Sequence, residues 1–144
     1  MAQDYILRML QQIAAMIAGI IAKKQAGDLA GAEAEVREKC LEHIGLPLDV
    51  VKHASPEGLA ELLAAGGALR HTKGVFLAEL LLQDAALAEA RGNPPEAWLG
   101  YQHAFWLLSD ALGVLSGDEE KTYRAKLVDI SVKLRELGAG IAGD

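Results

Sequence analysis

Apolar residues recur along this chain at spacings of three and four, and no segment shows the sustained alternation typical of a β-strand. Turn and capping residues interrupt the pattern at Ala26–Asp28, Gly45–Pro47, Ser55–Pro56, Gly66–Gly67, Gly92–Pro95 and Ser116–Asp118. The pattern predicts an all-α fold of about six to seven helices, at 4–26, 28–44, 47–53, 56–65, 68–91, 95–115 and 119–137.

Several of these interruptions carry the chemistry of helix ends. Gly27 can adopt the left-handed conformation that closes a helix, and the Asp28 carboxylate can cap the next one. Ser55 precedes Pro56 at a first helical position, which is a second start signal. Gly138 is expected to end the last helix, leaving 139–144 as a frayed tail.

The composition fits one domain spanning 1–144. Hydrophobic residues make up 51% of the 144 positions and charged residues 24%, which is typical of a folded chain. Only 5% of the residues are aromatic, so the core must be mostly aliphatic.

The net charge and the single cysteine indicate which partners and which cellular compartment to expect. A formal net charge of -6 would repel a phosphate backbone, so nucleic acid is not an expected partner. The single cysteine, Cys40, forms no internal disulfide and suits a reducing compartment, which favours a cytoplasmic location.

The most apolar stretch of the chain, Ile13–Ala22, lies in the first predicted helix. It is shorter than the ~20 residues of a membrane span. Asp4 stands where a signal peptide carries positive charge, and no cleavage-site pattern follows the stretch. A membrane span is therefore not expected.

The apolar arc of the first helix is nonetheless about twice the ~100° stripe of a typical surface helix. Its seam consists of residues at four and three spacing, namely Ile6, Leu10, Ile13, Ile17 and Ile20. One interpretation is an interface for a homodimer or another partner. The alternative is a central helix that its own domain covers on both sides.

The sixth predicted helix carries a polar stripe, because Glu96, His103 and Asp110 recur every seven residues beside Trp106. Such a stripe is expected either to line a peptide groove or to form a solvated face. His103 and Asp110 lie two turns apart, too far for direct proton transfer.

No motif commits the chain to catalysis or to a cofactor. Cys40 and His43 have the spacing of two metal ligands on one helix, but no second closely spaced pair completes a site. The chain also lacks a Gly-x-Ser-x-Gly sequence and a glycine-rich phosphate loop. We therefore expect no metal and no cofactor.

One helical hairpin resembles a tetratricopeptide unit. Gly92, Ala97, Tyr101 and Ala104 match the turn glycine, small residue, aromatic and small residue of that repeat. The turn at Gly27 echoes the same motif with Ala32, although Val36 and Lys39 replace its later residues. The resemblance implies a right-handed stack of antiparallel helical hairpins. The turn glycines lie 92 − 27 = 65 residues apart, close to but not twice the ~34-residue period of the family.

The opening segment Gln3–Arg8 resembles the start of an uncharacterised bacterial family of small helical proteins. This second resemblance implies a bacterial source and assigns no activity.

Together these features favour a non-enzymatic, helical-repeat-like module that binds a protein or peptide through the sixth helix and forms a homodimer through the first. Two alternatives stay open. One is an enzyme or small-molecule binder with a pocket between helices, using His103, Trp106 and Asp110. The other is a purely structural assembly subunit.

Overall fold

A computed structural model of the chain describes residues 2–65, 67 and 70–143, with side chains at 7–65, 67 and 70–141. These residues form helices and no strands, which confirms the all-α prediction. The helices are α1 (Ala2–Gln25), α2 (Leu29–Ile44), α3 (Leu48–Lys52), α4 (Pro56–Ala64), α5 (Arg70–Ala90), α6 (Pro94–Ala111) and α7 (Gly117–Gly143). A 3-10 turn, Leu112–Val114, follows α6.

The predicted caps form where the sequence places them. Gly27 adopts a φ of 83°, and the Asp28 carboxylate accepts a hydrogen bond of 2.9 Å from the Gly31 amide at the start of α2. The Ser55 hydroxyl likewise accepts a bond of 3.0 Å from the Gly58 amide. These interactions are local, because each joins residues three apart.

The last helix is longer than the sequence predicts. Gly138 does not end α7, and the segment expected to fray continues as helix through Gly143. Gly138 instead lies against α6, where an added Cβ would be 3.5 Å from Trp98 Nε1. Leu134 and Leu137 on the preceding turn also pack against the core. Tertiary packing therefore overrides the ~1 kcal/mol helix penalty of a glycine.

α5 is the centre of the fold. It forms a hairpin with α6, packs against both α1 and α2, and is covered at its start by α4. α7 packs against α6, and short α3 contacts α2 and α6. The fully buried large side chains are aliphatic, as the composition predicts, and include Ile20, Leu77, Leu80, Leu81 and Leu108.

The α5–α6 hairpin has the close packing that its small residues predict. Ala85, Ala97 and Ala104 are all completely buried between the helices. At Gly100 an added Cβ would lie 3.0 Å from Ala85 Cβ and 3.2 Å from the Leu81 carbonyl oxygen. The two backbones therefore approach as closely as small side chains allow.

Candidate functional site

The apolar seam of α1 lies inside the chain. Ile13, Ile17 and Ile20 are only 2%, 7% and 0% exposed, because α2 and α5 cover them. Leu10 is half-buried against the same core, and the Ile6 side chain lies outside the described residues. The seam is therefore mostly core and not an open surface, although Leu10, Ile13 and Ile17 also line cavities between α1 and α7. A homodimer through α1 stays a prediction.

The polar stripe of α6 does not form one continuous face. Glu96 is paired with Lys52, whereas His103 is buried with 2% exposure. Trp106 is half-buried, and the Asp110 side chain is 62% exposed, with Oδ2 3.5 Å from His71 Nδ1. The assignment of His103 to an interaction surface is corrected.

His103 instead connects two parts of the fold. Its Nδ1 lies 2.8 Å from the Leu99 carbonyl oxygen, and its Nε2 lies 2.8 Å from the Ala54 carbonyl oxygen. Both ring nitrogens therefore face backbone oxygens, one in α6 and one in the segment before α4. The ring is a packing element of the core.

Trp106 and Asp110 do line a groove, between α4 and α6. This groove has a volume of about 310 Å³ and is mainly apolar, with Leu59 and Leu63 of α4 opposite Phe105 of α6. A groove does lie along α6, but only Trp106 and Asp110 of the four predicted residues line it.

A buried ion-pair cluster holds α3 against the α5–α6 hairpin. Lys52 is only 6% exposed, and its Nζ lies 2.9 Å from Asp84 Oδ2 and 2.5 Å from Glu96 Oε2. Burial alone would lower the pKa of Lys52, but the hydrogen bonds and charges of Glu96 and Asp84 raise it above its ordinary value. The hydrogen bond from Lys52 correspondingly lowers the pKa of Glu96.

The cluster forms the wall of a polar cleft of about 340 Å³. Charged residues of α2 and of the α5–α6 turn complete it, and Arg91 pairs with Glu33 across the opening. Four carboxylates and three Lys or Arg side chains line this cleft, so it has no strong preference for one sign of charge.

Two adjoining cavities, of about 260 Å³ and 350 Å³, lie between α1 and α7 and share the lining residues Glu79 of α5 and Lys126 of α7. We call the two together the α1–α7 groove. Its α1 wall consists of Leu10, Ile13, Ala14, Ile17 and Ile21. Leu82 and Gln83 of α5 lie on its floor, and Tyr123 and Ile130 are on the α7 wall.

An ion pair crosses the middle of this groove. Glu79 of α5 is 5% exposed and accepts a hydrogen bond of 2.6 Å from Lys126 of α7. The Lys126 Nζ also lies 5.0 Å from the centre of the Tyr123 ring, within the range of a cation–π contact. Burial, followed by the nearby charge of Glu79, raises the pKa of Tyr123.

Carboxylates line the α7 side of the groove. Asp118 and Glu119 line the smaller cavity and Asp129 the larger one. Within the described part of the chain none of the three forms an ion pair, whereas Lys133 is bound to Glu89 at 3.1 Å. The groove thus combines an apolar wall on α1 with an acidic border on α7.

The α1 side of this site was recognised from the sequence, since Leu10, Ile13 and Ile17 belong to the predicted seam, whereas its α5 and α7 sides were missed. One signal was available: Glu79 stands inside the apolar run Val75–Leu82. A carboxylate on the most buried helix requires a partner. The sequence alone does not show that Lys126, 47 positions away, provides it.

Comparisons with known proteins found no relative that indicates the role of this site. No protein-family model matches the chain, and no curated protein or solved structure matches it significantly. Among residues that the structure describes, no group of three or more His, Cys, Asp and Glu side chains is arranged to hold a metal ion. No helix in that same part is long and apolar enough to cross a membrane.

Proposed function

We propose that this protein is a non-enzymatic interaction module that binds a segment of another polypeptide in the α1–α7 groove. The observation that carries the proposal is an apolar α1 wall that faces α7 carboxylates without an ion-pair partner among the described residues, along two adjoining cavities. Apolar walls supply affinity when they are covered, and the charges select the sequence of the occupant.

The shape and charge of the groove indicate the class of partner. Its walls extend over residues 10–21 of α1 and 118–133 of α7, which is roughly 16 Å and 22 Å of helix at ~1.5 Å per residue. That length accommodates three to four turns of a bound helix. Since Asp118, Glu119 and Asp129 are unpaired, the segment that fits is amphipathic, with an apolar face bordered by Lys or Arg.

A tetratricopeptide-like arrangement is part of this proposal. The α1–α2 and α5–α6 pairs have the order of successive hairpins, and α5 packs on both helices of the first pair, as in a stack. Between these two hairpins, where a regular array would have another full hairpin, the chain has only α3 and α4, of five and nine residues. The groove then lies along the first helices of the hairpins and α7.

The geometry gives less support to the enzymatic alternative. A catalytic or ligand-binding role for His103 requires a free ring nitrogen, but both lie 2.8 Å from backbone oxygens. Asp110 contacts His71 at 3.5 Å and not His103. The homodimer, the bacterial source and the cytoplasmic location stay predictions from the sequence.

Titration with a synthetic amphipathic helix tests the proposal. The probe is a peptide of about 15 residues with leucine on one face and lysine on the other, measured by isothermal titration calorimetry. Ala14 is exposed and lines the groove, so Ala14→Arg should weaken binding about tenfold, equivalent to ~1.4 kcal/mol. Ala15 is exposed but does not line the groove, so Ala15→Arg is the control with identical charge and size.

A selective loss in the Ala14→Arg variant supports the groove as the binding site. Equal affinity for both variants, or no binding to the wild-type protein, would contradict the proposal. A companion peptide with glutamate in place of lysine should bind more weakly to the wild-type protein than the lysine peptide does, because it meets the acidic border of α7.

A further inference from the structure

The buried carboxylate of Glu79 lies at the centre of the α1–α7 groove and lines both of its cavities. Its side chain is only 7% exposed, whereas the side chain of its partner Lys126 is 37% exposed. The fixed member of the pair is therefore the anion on the central helix, and the more accessible member is the cation on α7.

The surroundings of the Lys126 ammonium group are those of a cation-binding site. The Glu79 carboxylate lies 2.6 Å from Nζ, and the ring of Tyr123 lies 5.0 Å from it. Asp118 and Glu119 line the same cavity and add negative charge around this position. A carboxylate beside an aromatic face also suits the ammonium or guanidinium group of a second chain.

We infer that the centre of the groove is a cation-recognition subsite, in which a Lys or Arg side chain of the bound segment replaces Lys126 against Glu79 and Tyr123 while Lys126 moves to Asp129. This inference rests on the proposed function, since the cation is carried by the polypeptide that occupies the groove. It identifies Glu79 as the residue that selects a basic side chain at the centre of the bound segment.

The exchange keeps every buried charge paired. Asp129 is three residues from Lys126 on the same helix, a spacing at which side chains meet, and both line the larger cavity. Asp129 has no ion-pair partner among the described residues, so it is available to Lys126. Lys133, the other cation of that cavity, is held by Glu89, which also accepts a 2.5 Å hydrogen bond from Tyr101. Leaving Glu79 unpaired would be far more costly than exchanging its partner.

Chemical rescue tests the subsite without any peptide. Lys126→Ala removes the internal cation and should lower the melting temperature, because Glu79 is left buried and unpaired. Butylammonium chloride, which mimics a lysine side chain, should then restore about 3 °C of the loss relative to sodium chloride at equal concentration. The wild-type protein should show no such difference between the two salts.

The double variant Glu79→Gln/Lys126→Ala is the control, because its neutral amide has no charge to attract the amine. Absence of rescue in Lys126→Ala, or an equal rescue in the double variant, would overturn the inference. If Lys126→Ala does not fold, Lys126→Gln keeps a hydrogen-bond donor to Glu79 and permits the same measurement.

A second arm separates this inference from the proposed function. The leucine–lysine probe is compared with a version in which its central lysine is norleucine, and the subsite predicts about a fivefold loss of affinity for wild-type protein. Asp129→Asn should weaken binding of the lysine peptide more than binding of the norleucine peptide, because only the lysine peptide requires Lys126 to move to Asp129. Equal affinities of both peptides would refute the subsite and leave the groove standing, whereas rescue without any peptide binding would support the cation site and refute the proposed function.

Discussion

Lys52 shows how one residue fixes the position of a whole segment. The short helix α3 has five residues, too few to be stable by itself, and Lys52 anchors it to Asp84 and Glu96. The charge is almost entirely buried, so its two carboxylate partners are essential to keeping it there.

Removing that charge should destabilise the protein strongly. Lys52→Ala leaves Asp84 buried without a cation, and we expect a loss of about 3 kcal/mol in the free energy of unfolding measured with urea. Adding Asp84→Asn to Lys52→Ala should recover part of the loss, since the neutral amide is cheaper to bury. An additive effect of the two substitutions would contradict this explanation.

The raised pKa of the Cys40 thiol predicts that the protein loses stability at alkaline pH. Burial, with a smaller contribution from Asp84, raises the pKa of its thiol from 9.0 to about 11. The folded state therefore holds the proton more tightly, so this stabilisation is complete below pH 9.0 and is lost as the pH rises towards about 11. The loss reaches roughly 2–3 kcal/mol.

Chemical denaturation between pH 8 and pH 11 measures this effect. Cys40→Ser is the matched variant, because its hydroxyl does not titrate in this range and can still donate to the Leu46 carbonyl oxygen. Its stability should fall less steeply than that of the wild-type protein. The raised pKa of Lys52 acts in the same direction at higher pH and is retained in both proteins.

Residues with local partners were predictable from the sequence, and residues with distant partners were not. Asp28 and Ser55 cap amides three positions away, so their roles follow from the sequence around them. His103 was assigned to a surface stripe, but its position is set by the Ala54 carbonyl, 49 residues earlier. Periodicity gives the face of a helix and does not give what covers that face.

The α5–α6 hairpin is closely packed at Gly100. In Gly100→Ala the new methyl group would lie 3.0 Å from Ala85 Cβ and 3.2 Å from the Leu81 carbonyl oxygen. Although alanine favours helix by ~1 kcal/mol, we expect a net loss of about 1–2 kcal/mol in thermal or urea unfolding.

Gly140 is the matched control in α7. It is exposed and helical, and an added Cβ there meets no atom within 4 Å. Gly140→Ala should therefore leave the stability unchanged or raise it by a few tenths of a kcal/mol. Equal effects at both positions would show that the hairpin has more room than the structure indicates.

Helix limits were also largely predictable, because turn glycines and caps mark them locally. Two ends differ from the prediction: α6 stops at Ala111 instead of 115, before a 3-10 turn, and α7 continues past Gly138, where it lies against Trp98 of α6. The apolar seam of α1 was recognised, but its coverage by α2 and α5 depends on the order in which the helices stack. Sequence periodicity does not determine that order.

For the whole molecule, the all-α architecture followed from the sequence, whereas the groove did not. Its two walls come from α1 and α7, near opposite ends of the chain, and its floor is the central helix α5. A site assembled from such distant segments exists only after the stack has formed. The α4–α6 groove, lined by Trp106 and Leu59, is also apolar, so a binding experiment must distinguish the two grooves.

Mapping the bound leucine–lysine probe by amide chemical shifts on ¹⁵N-labelled protein is the most direct test of the central claim. The account predicts that the perturbed residues cluster at 10–21 of α1, 79–83 of α5 and 118–133 of α7. Perturbations confined to the α4–α6 groove, around Leu59, Leu63 and Trp106, or an unchanged spectrum at saturating peptide, would contradict it.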